Sequence, residues 1–455
     1  NTTLMIHNLK ISQLILFFIL VVAGYNACNT ASSQNSKYSA LLERPDTIGK
    51  SIEWQNVQKQ FNDNIIAIAK DENDHTAYLN LTAIYLNEAR IGGNQPYYYK
   101  AAVQLINKLL ENAKTNLDNR FMALTYKSSV LLSLHQFADA KKTAEEAVIL
   151  NPYNADIYGA LVDANVELGN YKEAVAMCDK MLSIRPDLRS YSRASYIRQI
   201  YGDNDGAKAA MKMAVDAGPS GYEATEWARV NLGDLYLNTG KLDTAKYMYE
   251  SALVYRPNYP YAEIGLAKLA RAQKQYDSAI VHCEHAIRIL SESAFVSLLA
   301  ELHELKGDAS KAKEIHNDVL KLITEGEKEN ENESIAKHNG NRELAMGYLH
   351  VNKINEALTY AQKDLAIRPE NIDANELVAW IYFLKNDVAN AKKHIEKSLV
   401  TNIKSANTLY KAYLIYSASA ETSKADAYKA SALAITTQID PQLLNAALKT
   451  QVATK

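Results

Sequence analysis

Apolar residues recur at helical spacing along most of the chain. In the stretch NADIYGALVDANVELGNYKEAVAMCDKMLSIRP, one face of a first helix carries Tyr158, Leu161, Val162 and Leu168. Gly169 and Asn170 predict a turn, and one face of a second helix then carries Tyr171, Ala174, Val175, Cys178 and Met181. Pro186 ends the second helix, because proline lacks an amide hydrogen and holds the preceding residue extended. The stretch therefore predicts a pair of amphipathic helices.

The same pattern returns along the chain with a nearly constant period. The alanines equivalent to Ala174 are Ala140, Ala207, Ala245, Ala279, Ala312, Ala357, Ala391 and Ala425. Most successive spacings are 33 or 34 residues, and two longer ones of 38 and 45 residues indicate insertions. Prolines follow twelve residues after five of these alanines, at Pro152, Pro186, Pro219, Pro257 and Pro369. We interpret the alanine as the point where the two helices of a unit cross closely.

This repeated unit resembles the tetratricopeptide repeat, which has a 34-residue period. The best match is VNLGDLYLNTGKLDTAKYMYESALVYRP, in which the family positions hold Leu232, Gly233, Tyr236, Gly240, Ala245, Tyr249, Ala252 and Pro257. The resemblance covers Phe121 to Thr437 as nine units, and a degenerate unit from His75 to Ala113 precedes them with Ala102 as its alanine. It implies an all-α fold, a right-handed superhelical solenoid of stacked antiparallel helix pairs.

The pattern divides the chain into consecutive segments. We predict a signal peptide at 1–27, a polar tether at 28–49, N-terminal helices with the degenerate repeat at 50–116, the tandem array at 117–437 and a C-terminal capping tail at 438–455. The array includes an acidic insert, TEGEKENENESIAKHNG, at 324–340. Its glutamates predict a solvated, mobile segment, which is a tolerated surface loop, a partner-docking loop or a hinge between two subarrays.

The N-terminal stretch ILFFILVVAGYNACNT predicts export. About ten apolar residues follow a short basic region, which is typical of a secretory signal peptide and too short to span a bilayer; an uncleaved signal anchor is the alternative. The stretch resembles a bacterial lipoprotein signal of the kind found in Bacteroidota. This resemblance implies a lipid on Cys28, a membrane anchor, and a place in the cell envelope as a periplasmic or outer-membrane lipoprotein.

Charge and motifs argue against nucleic-acid binding and catalysis. Lys plus Arg (50) nearly balance Asp plus Glu (52), so the basic excess of a nucleic-acid binder is missing and no nucleic-acid partner is predicted. The sequence has no Gly-rich phosphate loop, no nucleophile elbow and no His-Glu-x-x-His helix. We therefore predict no enzyme activity, no catalytic residue and no cofactor.

A histidine-rich stretch, HCEH, is the one cluster that suggests a metal. It holds His282, Cys283 and His285, and His303 and His316 of the next unit also face inward. No recognised zinc-ligand spacing is present, so we interpret these residues as packing residues and predict no metal site. Cys178 and Cys283 occupy the same repeat position three units apart and are predicted to be buried without forming a disulfide.

The first helices of the units are expected to line the inner face of the array and to bind a protein or peptide partner. Arginine and aromatic residues recur at binding hot spots, and the candidates on this face are Arg189, Arg193, Tyr196, Trp227, Asn231, Tyr261, Lys268, Arg271, Trp380 and Phe383. Trp227 and Trp380 are alternatively packing residues between units. The predicted function is a non-enzymatic scaffold that supports an envelope complex; the alternatives are a glycan-binding accessory lipoprotein and a structural spacer. The sequence does not predict whether the chain self-associates.

Overall fold

The computed structural model of the chain describes residues 37–331, 333 and 335–445. The predicted signal peptide and Cys28 lie outside the described residues. The chain divides into two compact parts, residues 1–42 and 43–455. Of the first part the structure describes residues 37–42, which contain no helix or strand.

The second part contains the helices of the array. The first eleven are α1 (Asp46–Gly49), α2 (Ile52–Lys70), α3 (His75–Ile91), α4 (Gln95–Glu111), α5 (Leu117–Ser133), α6 (Phe137–Leu150), α7 (Ala155–Leu168), α8 (Tyr171–Ile184), α9 (Leu188–Ile200), α10 (Asn204–Ala217) and α11 (Glu223–Asn238). The next eleven are α12 (Leu242–Tyr255), α13 (Pro260–Ala272), α14 (Tyr276–Ile289), α15 (Ser293–Lys306), α16 (Ala309–Glu331), α17 (Asn341–His350), α18 (Ile354–Ile367), α19 (Ile372–Leu384), α20 (Val388–Ser398), α21 (Ala406–Ala418) and α22 (Thr422–Ile435).

From α3 to α22 these helices form ten consecutive pairs, each packed on the next, and α2 packs on α3. The described residues contain no strand, so the predicted all-α array of helix pairs is confirmed. No helix within the described part is both long enough and apolar enough to cross a membrane.

The periodic alanines lie where the helices of a pair touch. All nine are buried, with exposed fractions between 0% and 3%, because a larger side chain would hold the two helices apart. At the pair α11/α12, glycine residues allow a similarly close approach of the neighbouring helices. A Cβ at Gly233 or at Gly265 of α13 would lie about 2.5 Å from the ring of Tyr249. That ring is fully buried, and its hydroxyl donates a hydrogen bond to Asp234 Oδ1 over 2.6 Å.

The short connection between the two helices of a pair, which we call the corner, has a left-handed residue in every pair. Glycine takes this conformation in five of them, for example Gly169 with φ 81° and Gly307 with φ 97°. His135, Lys274, Asn352, Asn386 and Ala420 take it in the others. Glycine suits this position because it lacks the Cβ that makes a positive φ costly.

Corners also contact the chain about two hundred residues later, so the array meets itself after six pairs. A Cβ at Gly169 would lie 2.4 Å from the carbonyl carbon of Glu370, and one at Gly202 would lie 2.4 Å from the carbonyl oxygen of Asn402. We call the contacts of residues 166–171 with residues 368–372 the inter-turn seam. There, the Asn371 side-chain amide donates to the carbonyl oxygen of Glu167 over 3.1 Å, and the Ile372 amide donates to the Tyr171 hydroxyl over 2.8 Å.

The acidic insert is built differently from the expected mobile loop. Helix α16 continues into it as far as Glu331. In its last turn, the Asn330 side chain hydrogen-bonds to both the amide and the carbonyl oxygen of His338, which lies beyond the helix. The Asn339 amide then donates to the carbonyl oxygen of Leu134 over 2.9 Å. Within the described residues the segment is therefore helical as far as Glu331 and hydrogen-bonded to an earlier corner, while Glu325, Gly326, Lys328 and Glu329 are exposed to solvent. Its mobility stays a prediction.

Candidate functional site

Ion pairs join the first helices of successive pairs along the inner face. On α9, Arg193 Nη2 lies 2.6 Å from Asp163 Oδ2 of α7, and its Nε donates to Asp163 Oδ1 over 2.9 Å. The guanidinium lies flat over Gly159, where a Cβ would approach it to 3.0 Å. Arg189 pairs with Asp156 of α7 at 2.8 Å. The two predicted arginines thus share one face but are already engaged with the preceding pair.

The same arrangement recurs further along the array. Lys268 of α13 lies 3.1 Å from Asp234 of α11. Arg271 of α13 lies 3.4 Å from Glu301 of α15 and 2.7 Å from Asp440. All four predicted cations therefore have acidic partners. Exposed ion pairs contribute little to stability, about 0–1 kcal/mol. An acidic group of a binding partner can therefore replace the intramolecular carboxylate at the more exposed of these cations.

Three other predicted residues pack between units. Trp227 is half-buried against the cores on both sides of α11, with the Arg90 guanidinium 5.9 Å from its ring. Asn231 donates to the carbonyl oxygen of Trp227 within the same helix over 2.8 Å. Tyr261 donates to Glu292 Oε1 over 2.7 Å and meets Phe295 edge to face. These contacts fit the packing alternative for Trp227, and binding by these residues stays a prediction.

Phe383 requires a correction. Its side chain is 7% exposed and lies in the core of the last two pairs, with Trp380 stacked on it at 5.2 Å between ring centroids. It is therefore unavailable to a partner, because α19 turns this position towards α20 and α21. Trp380 is half-buried and lies 5.8 Å from the Lys411 ammonium.

Two exposed side chains, Tyr196 of α9 and Asp373 of α19, lie beside the inter-turn seam, and we call their surroundings the Tyr196–Asp373 region. Tyr196 is 40% exposed, and Asp373 reaches water as well. Burial nevertheless raises the pKa of the Tyr196 phenol, and the charges of Asp373 and Glu167 raise it further. Tyr196 of α9 thus lies near Asp373 of α19 and near Glu167, and both Tyr196 and Asp373 remain accessible to solvent.

The carboxylates of the Tyr196–Asp373 region differ in whether a cation or a hydrogen-bond donor pairs with them. Burial raises the pKa of Asp373 and of Glu167, and Arg342 and Arg368 oppose the rise at both groups. Burial also acts on Glu376, but Lys411, whose ammonium lies 2.7 Å away, keeps its pKa below the ordinary value. Asp373 forms no ion pair or side-chain hydrogen bond with any residue that the structure describes. It is thus the carboxylate best placed to accept a donor from a ligand.

The histidine-rich stretch does not form the zinc site that its composition suggests. His282 and His285 both turn to Glu263, with Nδ1 at 2.7 Å and 2.9 Å from separate carboxylate oxygens. Cys283 points into the core and donates to the carbonyl oxygen of Phe295 over 3.2 Å. Burial raises the pKa of its thiol to about 12, and Cys178 is likewise buried and free, as predicted.

Sequence reasoning missed Asp373, which lies in the first turn of α19. An acidic residue there is what the helix dipole favours, so nothing local distinguishes it from a structural aspartate. Its position opposite Tyr196 depends on the six-pair return of the array.

Two family models, each described as tetratricopeptide repeat, match residues 131–195 and 230–294. Comparison with curated proteins finds no match. Among solved structures, Pseudomonas aeruginosa pilF is 19% identical with a TM-score of 0.37 and covers 45% of this chain and 93% of its own. PilW, titled a type IV pilus biogenesis factor, is 17% identical with a TM-score of 0.37 and covers 43% and 90%. A human IFIT1 dimer with PPP-AAAA is 14% identical with a TM-score of 0.45 and covers 84% and 88%.

The first matched segment runs from the end of α5 into α9, and the second from within α11 to the start of α15. The other described pairs repeat the same arrangement of buried alanine and left-handed corner. The chain thus contains tetratricopeptide repeats in the two matched segments.

Proposed function

We propose that this chain is a non-enzymatic scaffold that binds an extended segment of another protein along its inner face, between α9 and α19. The observation that carries the proposal is that Tyr196 of α9 and Asp373 of α19 are both exposed and lie near each other beside the inter-turn seam, and that Asp373 is unpaired within the described residues. An aromatic ring offers contact area at low entropic cost, and the carboxylate accepts hydrogen bonds from a lysine, an arginine or backbone amides.

The charges of the Tyr196–Asp373 region suit a protein segment with a basic side chain. The acidic groups of this region include Asp163, Glu167, Asp373 and Glu376, and three of these four already pair with a cation. A phosphate backbone requires uncompensated lysine and arginine, whereas a peptide with a basic side chain matches the unpaired carboxylate. No phosphate-binding role is proposed.

Export and anchoring form the second part of the proposal. An apolar stretch followed by Cys28 resembles a lipoprotein signal, and a lipid on that cysteine would hold the array at a membrane surface of the cell envelope. There the array would support an envelope complex by holding one of its proteins.

The test is affinity purification of the tagged full chain from gently solubilised membranes, with co-purifying proteins identified by mass spectrometry. Tyr196→Ala and Asp373→Asn should lose a partner that the wild-type chain retains. The matched control is Tyr247→Ala, since Tyr247 is 66% exposed on the second helix α12, away from the inner face.

Three outcomes would contradict the proposal. Loss of the partner in the Tyr247 variant would place binding on the outer surface. Unchanged capture in both inner-face variants would exclude this part of the inner face. No stoichiometric partner, even after crosslinking, would favour the spacer, or the glycan-binding protein if glycan arrays then gave a signal.

A further inference from the structure

Two histidines and a glutamate from successive superhelical turns meet beside the acidic insert. His135 lies at the corner of α5/α6, His338 in the segment that follows α16, and Glu343 in the first turn of α17. One ligand atom from each side chain lies within 4.8 Å of the other two, and all three are half-buried. Within the described part of the chain, this is the one group of three histidine, cysteine or acidic side chains that meets this condition.

Hydrogen bonds already orient both imidazole rings. Nδ1 of His135 lies 3.2 Å from the carbonyl oxygen of Asn339, and Nδ1 of His338 lies 3.4 Å from Glu327 Oε1. Donation from Nδ1 to a carbonyl or carboxylate is the outer-shell contact typical of metal-binding histidines. In that tautomer the lone pair of each ring is on Nε2.

The carboxylate also has unused capacity. Glu343 Oε1 lies 3.7 Å from His135 Nδ1, and Glu343 Oε2 is buried without a hydrogen-bond partner among the described residues. A buried carboxylate oxygen without a partner is costly, and a bound cation would satisfy it.

We propose that His135, His338 and Glu343 bind a divalent transition-metal ion of the zinc type, which links the two superhelical turns. Two imidazoles and one carboxylate suit zinc rather than magnesium or calcium, which prefer all-oxygen sites. His135 lies more than two hundred positions before the other two ligands, which is why no ligand spacing appears in the sequence. The ion would add a bond to a junction whose hydrogen bonds include those from the Gln136 side chain to the Lys337 carbonyl and from the Asn339 amide to the Leu134 carbonyl.

The test is calorimetric titration of the purified full chain with Zn²⁺ after chelator treatment, repeated with Mg²⁺. We expect one equivalent of Zn²⁺ to bind and no binding of Mg²⁺ in the same range. His135→Asn, His338→Asn and Glu343→Gln should each weaken Zn²⁺ binding about tenfold or more, since even outer-shell changes cost about 10–100-fold. Asparagine tolerates the left-handed backbone of His135, whose φ is 57°, and circular dichroism checks that each variant is folded.

The chain offers a control with the same residue types. The double variant His282→Ala/His285→Ala removes two histidines that share Glu263 and should leave Zn²⁺ binding unchanged. Zn²⁺ should also slow hydrogen exchange in residues 134–138 and 335–340 of the wild-type chain. Equal Zn²⁺ affinity in wild type and the three site variants, or loss of binding in the control alone, would overturn the proposal. So would stoichiometric binding with unchanged exchange in both segments, because the ion would then not link the turns.

Discussion

Replacing Gly169 by alanine would place a methyl group against backbone that lies six pairs later in the array. The added Cβ would lie 2.4 Å from the carbonyl carbon and 2.6 Å from the carbonyl oxygen of Glu370. Gly307 is the matched control. It holds the same corner position in α15/α16, with φ 97°, and a Cβ there would meet no atom within 4 Å.

The difference between the two variants isolates the inter-turn seam. Both place alanine in a left-handed conformation, which costs about 1–2 kcal/mol. Only Gly169→Ala must also move the corner away from residues 368–372. That shift breaks two hydrogen bonds donated by Asn371 and the one from the Ile372 amide to Tyr171. At about 1 kcal/mol for each hydrogen bond, we expect Gly169→Ala to lower the free energy of unfolding by about 3 kcal/mol more than Gly307→Ala.

Urea denaturation followed by circular dichroism measures the two losses of stability. Because repeat arrays need not unfold in one step, hydrogen exchange of residues 368–372 serves as the local readout. We expect faster exchange there in Gly169→Ala and wild-type exchange in Gly307→Ala. Equal losses of stability with unchanged exchange at 368–372 would refute the close contact between the turns.

Three further changes test other parts of the account. Gly265→Ala brings a Cβ to 2.4 Å from the buried ring of Tyr249 and should lower the free energy of unfolding, measured by urea denaturation, by about 1–3 kcal/mol. Gly326→Ala, on the open surface of α16, should raise it by about 0.5–1 kcal/mol. A stabilising Gly265→Ala would contradict the packing. Burial raises the pKa of Glu301 to about 7, so the folded chain binds a proton that the unfolded chain releases at lower pH, and stability should fall as pH rises from about 4.5 to about 7. Glu301→Gln should flatten this fall in denaturation midpoints measured across that range, and an unchanged slope would refute the assignment. Cys28→Ser should abolish acylation of the mature N-terminus in mass spectrometry of membrane fractions, and an acyl group that persists would exclude this cysteine as the anchor.

The repeat period was sufficient to predict the fold class, because each unit buries its own alanine and ends in its own corner. Ala174 and Cys178 were predicted to be buried from spacing alone, and both are. The return of the array after six pairs was not predictable in this way. It depends on a small rotation from each pair to the next, which no local residue pattern records. For the same reason the hydrogen bonds between the acidic insert and an earlier corner were not foreseen, since the residues that form them lie about two hundred positions earlier.

For the candidate site, the sequence predicted which helices carry its residues but not the contacts that those residues make. Spacing placed Arg193 and Tyr196 on a first helix, and both lie on α9, the first helix of its pair. Their place on the inner face stays a prediction. The acidic partners of the cations were not foreseen, because pairing across first helices depends on how far each pair is displaced along the next. Phe383 was assigned to the face although its position turns into the core.

Site-specific photocrosslinking at position 196 tests the central claim most directly. A photoreactive phenylalanine analogue replaces Tyr196 in cells that normally make the protein, and the same analogue replaces Tyr247 of the outer surface as the control. The account predicts a crosslink from position 196 to one defined protein, reduced by Asp373→Asn and absent from position 247. Crosslinks of equal yield and identity from both positions, or none from position 196, would contradict binding on the inner face.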